Sequence, residues 1–139
     1  MRKAAAQTRA VRHPRVASSG ANVDCRPSAP VSVFVFHGTA DRLVPFDRGS
    51  TKFQIGPVRT DNSVAVAFWV KEDGCSPVPH HEESSEVHVD TYSGCKAGTG
   101  VQLYAIQGGH HTWPGTGPSG NHVAATDFMW AFFSRHPKP

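Results

Sequence analysis

The sequence predicts an α/β fold, because strand patterns and amphipathic helix patterns alternate along the chain. The run 31–36, Val-Ser-Val-Phe-Val-Phe, is almost continuously apolar and rich in β-branched and aromatic residues, as in a strand buried on both faces of a parallel sheet. A helix is predicted over about 61–73, with capping residues at its start and Gly74 as its stop. A last helix is predicted over 122–135, where apolar residues recur at helical spacing.

Two further strands complete the predicted order. Residues 86–92 alternate between apolar and polar side chains, which predicts a strand with one face in water. Residues 101–106 are a second strand candidate, whereas the polar segment 75–85 is predicted to be a loop. The elements therefore follow the order strand, loop with an aspartate, helix, strand, strand, loop with histidines, helix.

The composition is that of an ordinary globular chain with an uneven charge distribution. Its 139 residues suit one small domain, and the formal net charge is +3. Five of the basic residues precede the first acid, Asp24, so the excess positive charge lies in the N-terminal segment and does not indicate a basic domain. No apolar run approaches the roughly 18–20 residues that a membrane span needs. We therefore expect neither a nucleic-acid partner nor a membrane partner.

The chain is expected to consist of a leader and one folded unit. Residues 1–22 are rich in arginine and contain no acid, as in organelle transit peptides, but they lack the apolar core of a secretory signal. They are interpreted as a basic, disordered leader, and 23–139 as the folded domain.

The three cysteines, Cys25, Cys75 and Cys95, suggest the redox environment. An odd number leaves one cysteine without a partner inside the chain. Cys75 and Cys95 flank a polar stretch that resembles a hairpin, and they are predicted to form a disulfide; two separate buried thiols are the alternative. A bridge that closes about 20 residues contributes about 3 kcal/mol on the chain-entropy model. It would indicate an oxidising compartment.

Two loops that follow predicted strands contain residues suited to acid–base chemistry. Asp41 follows the strand 31–36, and His110 and His111 follow the strand 101–106. In open α/β sheets, functional groups collect beyond the carboxyl ends of the strands. An acid that orients a histidine, and a histidine that accepts a proton from a nucleophile, are two of the three members of a hydrolytic triad. The structural alternatives are a turn-forming aspartate and an ordinary loop histidine.

The same loops resemble one enzyme family. Segment 33–46, Val-Phe-Val-Phe-His-Gly-Thr-Ala-Asp-Arg-Leu-Val-Pro-Phe, is similar to the acid-bearing segment of α/β-hydrolases of the polyhydroxybutyrate depolymerase and feruloyl esterase type. Segment 108–115, Gly-Gly-His-His-Thr-Trp-Pro-Gly, resembles the histidine motif Gly-Gly-Gly-His-x-Trp-Pro-Gly of that family. Segment 125–133 resembles its closing helix, and two cysteines lie between acid and base as in the family. The resemblance covers roughly residues 23–135.

The resemblance implies the C-terminal portion of an α/β-hydrolase fold, an incomplete domain with a mostly parallel sheet flanked by helices. It identifies Asp41 as the catalytic acid and, with the register set on Trp-Pro-Gly, His111 as the general base. It implies that Trp113 lines the substrate pocket, with a core anchor as the alternative. No cofactor is implied. The implied substrate is a carboxylic ester, either a polyester or another acyl ester, and the implied location is extracellular.

The third member of the triad has no candidate in this sequence. No serine lies in the Gly-x-Ser-x-Gly pattern that presents the nucleophile, and the nearest segment, 117–120, lacks its spacing. We therefore expect an esterase fragment that has the acid and the base but is inactive alone, with Cys25 paired in the absent half. A non-catalytic remnant or binding module is the alternative. Left at the edge of a half-sheet, strand 31–36 is expected to promote self-association.

Nine histidines, including the pairs 80–81 and 110–111, raise metal binding as a third hypothesis. Adjacent histidines on a strand point to opposite faces, and on a loop they have no fixed geometry. The sequence therefore predicts no metal site.

Overall fold

About half of the residues that the structure describes lie in strands and helices. The structure, a computed structural model, describes residues 15–16, 27–44, 46, 62–115 and 123–137. In chain order, the elements are β1 (Arg15–Val16), β2 (Val33–Gly38), α1 (Asn62–Glu72), β3 (His80–Glu83), β4 (Val87–Tyr92), a 3₁₀ turn (Lys96–Gly98), β5 (Val101–Ile106) and α2 (Ala125–Arg135).

The strands form one mixed sheet in the order β1-β2-β5-β4-β3. β1 and β5 both run parallel to β2, whereas β4 is antiparallel to β5 and β3 is antiparallel to β4. β2 and β5 pair along their whole length, from Val33 opposite Val101 to Gly38 opposite Ile106. The carboxyl ends of these two strands therefore lie side by side.

The predicted α/β-hydrolase fold, with its mostly parallel sheet, is wrong for this chain. Among the described residues, two strand pairings are parallel and two are antiparallel, and the sheet is accompanied by two helices. The reason lies in the connection between β4 and β5, which consists only of residues 93–100. A crossover between parallel strands needs about a dozen residues or more, so these two strands pair in the antiparallel sense.

β3 is the strand that the sequence patterns did not predict. All four of its side chains are exposed, so it lacks the apolar alternation by which a half-buried strand is recognised. It pairs with β4 from His80 opposite Thr91 to Glu83 opposite His88. The segment predicted as a polar loop therefore contains one arm of a hairpin.

The other elements agree with the sequence patterns to within a few residues. β5 has the predicted bounds, β2 begins at Val33 and continues to Gly38, and α2 begins at Ala125. β1 lies within the predicted leader and pairs with the first two residues of β2. The rest of the leader lies outside the described residues, and self-association through segment 31–36 stays a prediction.

Both faces of the sheet are covered, one by each helix. The side chains of β2 alternate between the two faces, as expected for a strand buried on both sides. The layer under α1 consists of Val33, Val35, Val66, Trp69, Val70, Val101 and Leu103. The layer under α2 consists of Phe34, Phe36, Ile106, Val123, Ala125 and Phe132. Burial of each valine or phenylalanine side chain contributes about 1.5–3 kcal/mol, so β2 is central to the core.

The region after α1 is anchored by a disulfide and by a buried acid. Cys75 and Cys95 form the predicted disulfide, whereas Cys25 lies outside the described residues. Asp73 is fully buried, and its Oδ1 accepts a hydrogen bond from the N–H of Val31 at 3.0 Å. Its Oδ2 has no hydrogen-bond partner in the described part of the chain, and burial raises the pKa of this carboxyl above its ordinary value of 3.8.

Neither helix in the described residues is long and apolar enough to cross a membrane.

Candidate active site

The candidate active site lies where β2 and β5 end. Both strands run in the same direction and finish in register at Gly38 and Ile106. The loops that follow, 39–44 and 107–115, therefore leave the sheet next to each other. In α/β proteins this edge of the sheet is where functional groups are usually brought together.

Backbone contacts hold the two loops together. The N–H of Ala40 donates a hydrogen bond to the carbonyl of Gly109 at 2.9 Å, and the N–H of Gly108 donates to Oγ1 of Thr39 at 2.9 Å. A Cβ atom on Gly38 would overlap the carbonyl of Gly109, so only glycine allows this close approach. Gly108 has a φ of +66°, in the left-handed region that glycine adopts without steric cost. The spacing between the loops therefore depends on glycine at two positions.

Asp41 and His111 meet directly between the loops. Nδ1 of His111 lies 2.8 Å from Oδ2 of Asp41. The other carboxylate oxygen, Oδ1, accepts hydrogen bonds from the N–H groups of Leu43 and Val44, both at 2.9 Å. The side chain of Asp41 is 5% exposed and that of His111 is 49% exposed. The carboxylate is thus fixed by its own loop and directs its second oxygen at a half-exposed imidazole.

The charge on Asp41 determines which nitrogen of His111 carries a hydrogen. Burial alone raises the pKa of Asp41, but hydrogen bonds from the N–H of Val44, from His111 and from the N–H of Leu43 lower it by more, so that the pKa lies below 3.8. An ionised carboxylate only accepts hydrogen bonds, so Nδ1 of His111 must be the donor. Nε2 of the neutral ring then keeps its lone pair, and no described residue makes a hydrogen bond to it. This arrangement fixes the orientation of the imidazole through Nδ1.

His37 belongs to the site, although the sequence interpretation gave it no function. Its side chain is 3% exposed, its Nε2 donates a hydrogen bond to the carbonyl of Val44 at 2.7 Å, and the same nitrogen lies 3.5 Å from Oδ2 of Asp41. His37 therefore supports the loop that holds the carboxylate. A histidine at the end of an otherwise apolar buried strand was the available signal, because a buried polar side chain needs a hydrogen-bond partner.

The two adjacent histidines make different contacts. Nδ1 of His110 donates a hydrogen bond to the carbonyl of Ala40 at 3.1 Å, which is a further contact between the loops. The hydrogen bond to Asp41 comes from His111, the residue that the Trp-Pro-Gly register indicated. His110 therefore joins the two loops, and Nε2 of His111 is the ring nitrogen without a hydrogen bond from the described residues.

Trp113, predicted to line a substrate pocket, is only partly covered. Its side chain contacts Phe36 edge to face, with the ring centroids 6.1 Å apart, while 46% of the residue stays exposed. The indole is therefore attached to the core and accessible at the same time, and its contact with substrate stays a prediction.

Comparison with known proteins adds one observation. The chain is similar to a feruloyl esterase. It is 31% identical over 89 residues to feruloyl esterase B of Piromyces equi, a match that covers 63% of this chain but only 16% of that relative. No model of a known protein family matches the chain. The similarity supports an esterase relationship, while the relation to polyhydroxybutyrate depolymerases stays a prediction.

Proposed function

We propose that this chain provides the acid and the base of an ester-hydrolysing site, with Asp41 as the orienting acid and His111 as the general base. The hydrogen bond of 2.8 Å between them, which leaves Nε2 of His111 unpaired among the described residues, is the observation that carries the proposal. The same pair would serve other acyl transfers as well. The similarity to a feruloyl esterase favours a carboxylic ester as the substrate.

In the proposed reaction, Nε2 of His111 accepts the proton of a serine hydroxyl as the oxygen attacks the ester carbonyl. It then returns that proton to the leaving alcohol. Asp41 stays ionised throughout, holds the hydrogen on Nδ1 and stabilises the imidazolium that forms. The serine is expected from outside these 139 residues, because no serine here occupies a Gly-x-Ser-x-Gly elbow.

The substrate and the location of the protein are part of the same proposal. The exposed part of the Trp113 indole is proposed to contact the acyl or aromatic group of the ester, which is a polyester or another acyl ester. The disulfide between Cys75 and Cys95 supports an extracellular location, because such bonds persist in oxidising compartments.

The test uses the longest reading frame that contains these residues, assayed on p-nitrophenyl acetate and methyl ferulate. Asp41→Asn is expected to lower kcat/KM roughly ten-thousandfold, because the wrong tautomer blocks proton transfer. His111→Ala is expected to lower it by at least as much, because it removes the base itself. The matched control is His80→Ala, a histidine on β3 with a 74% exposed side chain, which is expected to leave the rate unchanged. Full activity in His111→Ala would overturn the proposed role of this residue.

A non-catalytic ester-binding module is the second candidate, favoured by the lack of a serine elbow in the sequence. It predicts that the folded product of the longest reading frame binds methyl ferulate without hydrolysing it, and that His111→Ala leaves binding unchanged. Binding of methyl ferulate without turnover, in a folded product whose reading frame also contains a Gly-x-Ser-x-Gly elbow, would therefore reject the catalytic proposal in favour of this one.

A further inference from the structure

A second cluster of potential ligand side chains lies on the β3–β4 hairpin. The antiparallel register places His81 opposite Asp90 and Glu83 opposite His88. Because alternate residues of a strand share a face, these four side chains project from one face of the hairpin. They are called the hairpin cluster below, and none of them takes part in the site at Asp41 and His111.

The four side chains are already in contact or close to it. Nδ1 of His81 lies 2.8 Å from Oδ1 of Asp90, and Nε2 of His88 lies 3.6 Å from Oδ2 of the same carboxylate. The two imidazole rings have their centroids 4.0 Å apart. His81, Glu83 and His88 each offer one donor atom, and these three atoms all lie within 4.8 Å of one another. This is a convergent set of two nitrogen donors and one oxygen donor.

We propose that His81, Glu83 and His88 bind one divalent transition-metal ion, with zinc as the best chemical match. Two imidazoles and one carboxylate form a donor set that zinc accepts, and water takes the fourth position. Asp90 is the positioning residue: its carboxylate accepts the Nδ1 hydrogen of His81 and thereby keeps the lone pair on Nε2 for the metal. A carboxylate behind a metal-binding histidine is the usual way to fix its tautomer and orientation.

Charge also favours a cation at this place. Segment 72–95 contains no lysine or arginine, so the carboxylates of Glu83 and Asp90 have no basic neighbour along this stretch other than histidines. Lys71 lines the same cavity as His88 and Asp90 and is the nearest cation before this segment in the sequence. A divalent ion would add positive charge beside both carboxylates while binding both rings. Histidine and carboxylate donors together suit zinc and its neighbours better than calcium or magnesium, which prefer oxygen ligands alone.

The cluster needs only a small adjustment to bind the ion. Tetrahedral zinc with bonds of 2.0–2.1 Å places its donors roughly 3.3 Å apart, so the side chains must move closer by up to about 1.5 Å. His81 and Glu83 are exposed and have room to rotate, whereas His88 and Asp90 are half-buried beside a cavity of about 650 Å³ under α1. The half-buried pair fixes the site, and the exposed pair closes on the ion.

Adjacent histidine pairs alone predict no metal site, because neighbours on a strand point to opposite faces. That reasoning holds for His80, which lies on the face of β3 opposite to the hairpin cluster, where its Nε2 is 3.8 Å from Glu82. The proposed ligands instead alternate on β3 and are joined by a residue from β4. This spacing became visible only once segment 80–83 was known to be a strand.

The first experiment is calorimetric titration of the full chain, freed of metal, with zinc chloride. We expect one zinc per chain. His81→Ala and His88→Ala are each expected to weaken binding at least tenfold, and Asp90→Ala by roughly ten- to a hundredfold. The matched control is His80→Ala, on the same strand but the opposite face, which is expected to bind like the wild type. Equal weakening by His80→Ala and His81→Ala, or a double variant of His81 and His88 that still binds like the wild type, would overturn the proposal.

A measurement on the unaltered protein removes any dependence on how the variants fold. The ring ¹⁵N resonances of His81 and His88 are followed by NMR as zinc is added. Both are expected to shift together to a plateau at one equivalent, while those of His80 stay in place. Unshifted His81 and His88 rings at excess zinc would show that the hairpin cluster is only a set of surface ion pairs.

Discussion

Replacement of Asp41 tests whether its carboxylate holds the two loops of the candidate site. The carboxylate accepts three hydrogen bonds of 2.8–2.9 Å, from Leu43, Val44 and His111. A hydrogen bond to a charged group contributes about 1.5–3 kcal/mol, and one between neutral groups about 0.5–1.5 kcal/mol. Water can reach the freed loop groups, so we take about 1 kcal/mol for each bond. Asp41→Ala is therefore expected to lower the free energy of unfolding by about 3 kcal/mol.

Two further variants separate the possible causes. Asp41→Asn keeps an oxygen for the two backbone N–H groups but presents an amide to His111, so we expect a smaller loss of about 1 kcal/mol. Arg42→Ala removes an exposed neighbour that makes no contact with the carboxylate, and its effect should stay within about 0.5 kcal/mol.

The assay is urea denaturation at a series of pH values. Because the folded-state pKa of Asp41 lies below its ordinary 3.8, the stabilisation is fully present above the unfolded-state pKa and is lost as the pH falls through the folded-state pKa. The difference between wild type and Asp41→Ala should therefore shrink below about pH 4. A difference under about 0.5 kcal/mol near neutral pH, or one that grows on acidification, would refute the reasoning.

Three other predictions concern the glycines of the site, the disulfide and the buried acid after α1. Gly38→Ala is expected to lower the free energy of unfolding by more than about 2 kcal/mol, because the added methyl group would overlap the backbone of Gly109. Gly108→Ala is expected to lower it by only roughly 1–2 kcal/mol, the cost of a left-handed backbone conformation in a residue other than glycine. Equal losses for the two variants in urea denaturation would contradict the close approach of the loops. Reduction of the Cys75–Cys95 disulfide is expected to cost about 3 kcal/mol in thermal unfolding, and three titratable thiols in the native protein would show that the bridge is absent. Asp73→Asn is expected to raise the free energy of unfolding near neutral pH, since burial raises the pKa of this carboxyl and penalises its ionised form. This difference from the wild type should disappear as the pH falls below the folded-state pKa of Asp73. A variant less stable than the wild type would indicate that the charge is needed.

Local sequence patterns predicted most of the elements but not the topology of the sheet. β2 and β5 could be predicted because their side chains are largely buried, and burial produces the continuous or alternating apolar pattern by which strands are predicted. β3 could not be predicted in this way, since its four side chains are exposed and form no apolar pattern. The direction of β4 relative to β5 depends on the short connection 93–100, and this limit on chain length does not appear in the pattern of apolar residues.

The central pair of the site could be predicted because each member follows a strand and lies in a recognisable loop. Asp41 and His111 are brought together by the parallel pairing of β2 and β5, which is the arrangement that the loop positions implied. Thr39 and His37 could not be given functions in the same way. Their contacts, to the N–H of Gly108 and to the turn after Asp41, depend on tertiary structure that local patterns do not encode.

The most direct test of the proposed site is the protonation state of the His111 ring, read from long-range proton–nitrogen correlation spectra of ¹⁵N-labelled protein. Above the pH at which the ring loses its charge, Nδ1 is expected to carry the hydrogen shared with Asp41, and Nε2 is expected to be unprotonated. The pattern should be lost in Asp41→Ala. A neutral ring with its hydrogen on Nε2 would contradict the proposal, because such a nitrogen has no lone pair with which to accept a proton from a nucleophile.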